Sequence, residues 1–291
     1  MTGKPDLRDW VGGSQEAADL VLADRSAALA AALDQPADAI AGGAMLPPLR
    51  HWLHFQDVVP RGRLGRDGHP ALGGFLPDIG AYWGGSATRR MWAGSRIDLH
   101  RPLVLGQPAR RLSVIEAIAE KAGRSGRLVF VTVRHEISDH AGVLAITDRH
   151  DIVYREEKAG RGSAALPTPE PAPADHEWED GFTADPVLLF RYSALTFNGH
   201  RIHYDRDYAR DVEGYGGLVV HGPLLATLLC DFACGLRPGQ ALSAFSFRGR
   251  RPVLDGQPFR LRARAESDDR LSLWIADAGN ALAMTAEARF G

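Results

Sequence analysis

The sequence predicts an α+β chain built twice over, each half a curved antiparallel sheet wrapped around a central helix. Three observations carry that reading. Arg101-Pro102-Leu103-Val104-Leu105-Gly106-Gln107-Pro108 and Arg251-Pro252-Val253-Leu254-Asp255-Gly256-Gln257-Pro258 share the pattern Arg-Pro-x-x-x-Gly-Gln-Pro and begin 150 residues apart. Each copy is followed by β-branched or alternating segments in the same order, separated by Gly, Asp and Ser turns. A proline-rich stretch then divides the chain close to its midpoint.

The elements follow in order. Met1 to Asp6 leads into no apolar signal region, and no 18 consecutive apolar residues occur, so neither a cleaved leader nor a membrane span is expected. Ser14 can cap a helix running to about Leu33, with Ala18, Val21, Leu22, Leu29 and Leu33 recurring on one face. Leu112–Glu116, Leu128–Val133 and Ala145–Thr147 read as strands and complete a first domain, residues 1–155. Residues 156–176 carry four prolines and little to bury, and read as a linker. In the second domain, 177–291, a helix opens at Gly222-Pro223, where the missing proline N–H has no intrahelical partner to lose. Its Leu224, Leu225, Leu228, Leu229 and Phe232 make it apolar nearly all round, hence buried. Phe259–Ala263, Leu271–Ile275 and Ala281–Thr285 supply the matching strands.

Composition narrows the functional classes. A net charge of −2 argues against nucleic acid as a partner. Cys230 and Cys234 lie in the apolar helix and read as buried thiols of a reducing cytoplasm, since two ligands cannot complete a structural zinc site. Gly-x-Ser-x-Gly elbows, Walker loops and Gly-x-Gly-x-x-Gly turns are absent, which removes the usual support for hydrolase, NTPase and dinucleotide chemistry.

The chemistry concentrates in Thr196-Phe197-Asn198-Gly199-His200-Arg201-Ile202-His203-Tyr204-Asp205. Polar groups so crowded beside Val187-Leu188-Leu189-Phe190 are costly to bury unless they satisfy one another or a ligand. Imidazole moves protons near neutral pH. His200 and His203, three residues apart, are also compatible with a shared metal or with ordinary hydrogen-bonded histidines, but no Asp or Glu ligand is forced nearby and the context is loop-like.

This stretch resembles the signature of the MaoC-like, type 2 enoyl-CoA hydratase/3-hydroxyacyl-thioester dehydratase family, roughly Ser-Gly-Asp-x-Asn-Pro-Leu-His. It is more similar still to the mesaconyl-C4-CoA and itaconyl-CoA hydratase branch with a FAS1-like dehydratase N-terminal domain. Gly216-Gly217-Leu218-Val219-Val220-His221-Gly222-Pro223 resembles the family's entry to the central helix, and Arg89-Arg90-Met91-Trp92-Ala93-Gly94 resembles this branch in the first half. The resemblance implies a double hot-dog fold whose first half lacks a catalytic motif. It implies a hydro-lyase that takes an acyl-CoA substrate, short and branched or dicarboxylic, and needs no cofactor and no metal. His203 falls on the catalytic histidine and Asn198 on the catalytic aspartate. That aspartate is a departure here, because an amide does not titrate.

On this reading His203 activates water and Asn198 holds it. Gly222, with His221 beside it, offers the enolate oxygen a backbone N–H at the positive end of the helix. His200 and Arg201 stand where the signature has Asn and Pro, so the family gives them no role; with Thr196 and Arg248 they are expected to contact substrate, the two arginines being the candidates for a free carboxylate. A fatty-acyl 3-hydroxyacyl-thioester dehydratase and a non-catalytic acyl-CoA binder are the competing readings. A monomer and a homodimer are both compatible with the duplicated fold.

Overall fold

The computed structural model describes residues 6–38, 40–86, 88–123, 126–156 and 168–291. In chain order the elements are β1 (Ser14–Leu20), α1 (Ala23–Ala32), α2 (Ile79–Tyr82), β2 (Thr88–Leu99), β3 (Pro108–Gly123), β4 (Gly126–Ser138), β5 (Leu144–Glu156), β6 (Trp178–Thr183), α3 (Pro186–Thr196), α4 (Gly222–Leu236), β7 (Leu242–Gly249), β8 (Pro258–Ser267), β9 (Arg270–Ala276) and β10 (Leu282–Phe290). All ten strands form one antiparallel sheet in the order β1-β3-β4-β5-β2-β7-β10-β9-β8-β6. The halves therefore meet edge to edge through β2 and β7, with Gly94 opposite Arg248 and Asp98 opposite Ala244. At that seam β2 bulges between Trp92 and Gly94, and a Cβ on Gly94 would stand 2.3 Å from the Phe247 carbonyl oxygen.

The expected strands are present in both halves, but the expected helix from Ser14 to Leu33 is not continuous. Ser14–Leu20 is strand, paired residue by residue with β3 from Ser14↔Val114 to Leu20↔Pro108, and only Ala23–Ala32 is helix. Ala17 and Ala18 suit a helix by intrinsic propensity; the open edge of β3 outweighs that local preference.

The duplication shows in backbone pairing. Met45↔Val104 and Val219↔Leu254 are isolated bridges at the same position of the repeated signature. After Val219 the chain enters α4, 15 residues whose Leu224, Leu225, Leu228 and Leu229 are all buried, as its apolar circumference requires. After Met45 it makes only two short 3-10 turns, Arg50–Leu53 and Arg61–Arg63, and the single turn of α2 before β2. The full central helix thus belongs to the second half alone. Where the first half lacks it, a cavity of about 2040 Å³ opens, lined by Trp52 of the stunted turn, by Phe55 just after it and by residues of β3 to β5 such as Arg111, Phe130 and Ile152.

Of the proline-rich stretch 156–176, residues 157–167 lie outside the described residues. The remainder is not idle: Pro171 bridges Ala281, and Ala172 is buried against Trp274, Ala276 and Leu282. Among the described residues no helix is long and apolar enough to cross a membrane. Cys230 and Cys234 are free thiols on α4, the former buried.

Candidate active site

The site is assembled at the end of α3. Asp185 caps that helix by accepting the Leu188 N–H, with Pro186 in the first turn. Its other end closes with Phe197 left-handed at φ 52°, while the Asn198 N–H reaches back to the Ser193 carbonyl at 2.8 Å. This 6→1 bond ends the helix abruptly and turns Asn198 to His203 beneath the start of α4. A left-handed phenylalanine costs about 1–2 kcal/mol.

His203 lies in a 3-10 turn, Arg201–His203, and is only 7% exposed. Its Nδ1 donates to the Val219 carbonyl at 2.7 Å. Since a carbonyl only accepts, the proton sits on Nδ1 and the lone pair on Nε2. Burial pulls the ring down to about 4, against the opposing pull of that carbonyl, so His203 is a neutral base at neutral pH. Its ring stacks on His221 at 3.7 Å between centroids. His221 is the residue before α4, fully buried, with Nε2 bonded to Ser193 Oγ at 2.8 Å. Burial, followed by repulsion from His203 and His200, lowers His221 well below an ordinary histidine.

The expected residues are only partly brought together. Asn198, His200, His203, Thr196, Gly222 and Arg248 all line the cavity. Asn198 Oδ1 accepts the His200 N–H at 3.0 Å, and Thr196 Oγ1 donates to the Tyr192 carbonyl at 2.7 Å. Gly222 opens α4; the helical bonding begins with Leu225 N–H to the His221 carbonyl at 3.1 Å. The N–H groups of Gly222 and Leu224 therefore precede the ladder at the positive end of the dipole, and Pro223 contributes none. Arg248 is exposed on β7 at the cavity rim. His221 and Arg201 do not line the cavity. Arg201 is a clamp: Nε and Nη2 hold Asp205 Oδ2 at 3.0 and 2.7 Å, Nη1 reaches the Arg66 carbonyl at 3.2 Å, and the guanidinium lies 4.1 Å from the Tyr208 ring centroid.

Apart from Arg90, which lies in the Arg89–Gly94 stretch already noted, the following wall residues had no signal in the sequence. Asp67 and His69, on the loop before α2, meet His200; the ligating atoms of the three lie within 4.8 Å of one another, close enough to hold a cation. Arg90, opposite Tyr154 in the β2–β5 register, lines the cavity two residues from Trp92 and has no carboxylate partner among the described residues. Farther in, buried Asp148 accepts from His51 Nε2, Trp52 Nε1 and His150 Nε2 at 3.1, 2.8 and 2.8 Å. Burial would raise that carboxyl, but His150 and His51 outweigh it and hold it well below the usual range. These side chains come from segments far apart in the chain, and nothing in any one segment announces the others.

A neutral buried imidazole on a cavity wall beside the N-terminus of an apolar helix, with Nδ1 committed to a carbonyl, is able to take a proton from water. The comparisons give the family. Residues 49–255 match the family model for hydroxyacyl-thioester dehydratase type 2, and the chain belongs to that family. It is 45% identical over 290 residues, 98% of each chain, to the mesaconyl-C(4)-CoA hydratase of Chloroflexus aurantiacus. In fold it is similar to a solved MaoC-like dehydratase (TM-score 0.70, 15% identity, 98% of this chain and 99% of that one). It is likewise similar to a Mycobacterium tuberculosis protein described as a double hot-dog fold (TM-score 0.57, 13% identity, the whole of both chains). The chain is a double hot-dog hydro-lyase of the enoyl-CoA hydratase type.

Proposed function

We propose that the enzyme hydrates mesaconyl-C4-CoA, with His203 as the proton-handling group and no cofactor, in the cytoplasm. The observation that carries the catalytic part is the His203 ring, with Nδ1 committed to Val219 and Nε2 free on the cavity wall. Nε2 takes a proton from water as the oxygen attacks the β-carbon. The electron pair of the double bond moves to the thioester oxygen, which the Gly222 N–H receives; such a donor contributes on the order of 3 kcal/mol in the transition state. His203 then returns the proton to the α-carbon.

The substrate assignment follows the Chloroflexus relative and the charge of the wall. In mesaconyl-C4-CoA the carbon that receives the hydroxyl also carries the free carboxylate, so its cation must lie near His203. Arg201 is occupied by Asp205. Arg90 is unclaimed by any carboxylate among the described residues and shares the inner face with Trp92, whose carbonyl lies 4.0 Å from where a Gly222 Cβ would stand. A longer acyl chain is the second reading, favoured by the apolar wall of Phe130, Ile137 and Ile152.

A thioester panel tests both. Hydration followed by loss of the enoyl absorbance is expected to give a higher kcat/KM for mesaconyl-C4-CoA than for crotonyl-CoA or a decenoyl-CoA. Arg90→Met is expected to lower the mesaconyl-C4-CoA value about 10- to 100-fold more than the crotonyl-CoA value, the worth of one charge-assisted hydrogen bond. Preference for decenoyl-CoA would establish the second reading, and hydration of none would remove the first.

A further inference from the structure

The short segment that leads into α4 grips the turn carrying His203 in three places. The Val219 N–H donates to the Ile202 carbonyl at 2.9 Å, and the Val219 carbonyl accepts from His203 Nδ1 at 2.7 Å. Two residues on, the His221 ring lies almost flat on the His203 ring, 3.7 Å between centroids and 18° between planes. The segment is itself pinned. The Val220 N–H donates to the Val253 carbonyl at 2.9 Å, and the His221 carbonyl accepts the Leu225 N–H at 3.1 Å as α4 begins.

The three contacts fix different things. A single hydrogen bond at Nδ1 sets how far the His203 ring stands from Val219, but it leaves the tilt of the ring plane open, because the second side-chain torsion of histidine is broad. A tilt would carry Nε2 away from the cavity. A flat neighbour on the ring face removes that freedom.

His221 is held for this more firmly than filling space requires. Ser193 Oγ on α3 meets its Nε2 at 2.8 Å, and the Tyr192 ring packs against it at 4.9 Å between centroids. The ring is fully buried, does not line the cavity, and has no hydrogen-bond partner for Nδ1 among the described residues. A phenylalanine would occupy much the same space with no polar atom to desolvate, so an imidazole here costs stability. What the imidazole adds is a ring whose rotation Ser193 sets. Burial, the chief influence on it, also keeps that ring neutral beside His203.

Resting on the hydratase reading above, we propose that His221, tethered by Ser193, is a positioning residue whose face holds the His203 ring in the plane that keeps Nε2 directed into the cavity. His221 exchanges no proton with substrate. It and Ser193 act on the reaction only through His203.

The test uses full-length variants that each keep one feature, assayed on the thioester that wild type hydrates best. His221→Gln retains an amide for Ser193 but has no ring face; His221→Phe retains the face and loses the tether. His221→Gln is expected to lower kcat about 100-fold with KM within about threefold, the scale of a reacting group held out of line. His221→Phe is expected to be about 10-fold more active than His221→Gln. Ser193→Ala is expected to lower kcat about fivefold in wild type and to add nothing in the His221→Phe background, since two residues acting through one ring are not additive. In proton NMR the His203 Nδ1–H, identified by its absence from His203→Gln, is expected to be sharp and slow to exchange in wild type and His221→Phe. It is expected to broaden in His221→Gln, whereas a ring that only fills space would lower the melting temperature and leave that signal sharp. The inference is overturned if kcat of folded His221→Gln stays within about threefold of wild type, if its loss lies wholly in KM, if the Nδ1–H signal stays sharp, or if His221→Phe is no more active than His221→Gln. If His221→Gln does not fold, the Ser193→Ala pair decides: an equal loss in both backgrounds, or none in wild type, overturns it. An inactive His203→Gln beside a fully active His221→Gln defeats this inference alone, whereas a fully active His203→Gln defeats the hydratase mechanism itself.

Discussion

The role proposed for His203 needs a ring that is neutral at rest, and burial secures that. A solvent-exposed histidine would titrate near 6.5. With His203 pulled down to about 4, the ring loses its basic form only in strong acid. The acid limb of kcat/KM for mesaconyl-C4-CoA is therefore expected near pH 4, with little change between about 5 and 7; a limb near 6.5 would place a different histidine in the role. Reading this residue from sequence was feasible because Asn198 and His203 fall within one turn-sized stretch. Asp67 and His69 were out of reach, since only the docking of Gly68 on Gly199 brings two distant loops together.

The elements that position the site are the N-terminus of α4 and the bulged seam beside it. α4 was legible because Pro223 and the surrounding leucines specify both where the helix starts and that it is buried. β1 was not, because Ser14–Leu20 has no β-branched or aromatic residue to mark a strand, and its strand state is decided by a partner nearly 100 residues away. Two substitutions probe these elements. Leu229→Ala removes a fully buried side chain and is expected to cost about 2–5 kcal/mol in urea unfolding. Gly94→Ala would drive a methyl into the Phe247 carbonyl at the β2–β7 seam, where backbone cannot yield cheaply. A melting temperature lowered by several degrees is expected, and an unchanged one would mean that the bulge is not held by that contact.

At the scale of the whole molecule, duplication has left two unequal halves fused into one sheet. The second keeps the central helix and the turn that carries His203; the first lacks that helix and shares the cavity wall with the second. The repeated Arg-Pro-x-x-x-Gly-Gln-Pro pattern made the duplication visible, but the lost helix left no mark in that pattern. Enclosing histidines has a consequence for stability. His203 and His54 are each pulled down to about 4, and His135 and His221 lie well below their ordinary value, all chiefly by burial. The unfolded chain thus binds more protons than the folded one between about pH 6.5 and 4. Stability is fully present above that window and is lost as pH falls through it. Urea midpoints measured across this range are expected to fall steadily with acid, and a flat series would show that these rings are not buried as described.

The central claim is tested most directly by the initial rate of mesaconyl-C4-CoA hydration by His203→Gln beside wild type, with circular dichroism to show that both are folded. The account predicts rapid loss of the enoyl band with wild type and a rate at least about 100-fold lower with the variant. A folded His203→Gln that hydrates at the wild-type rate would contradict it.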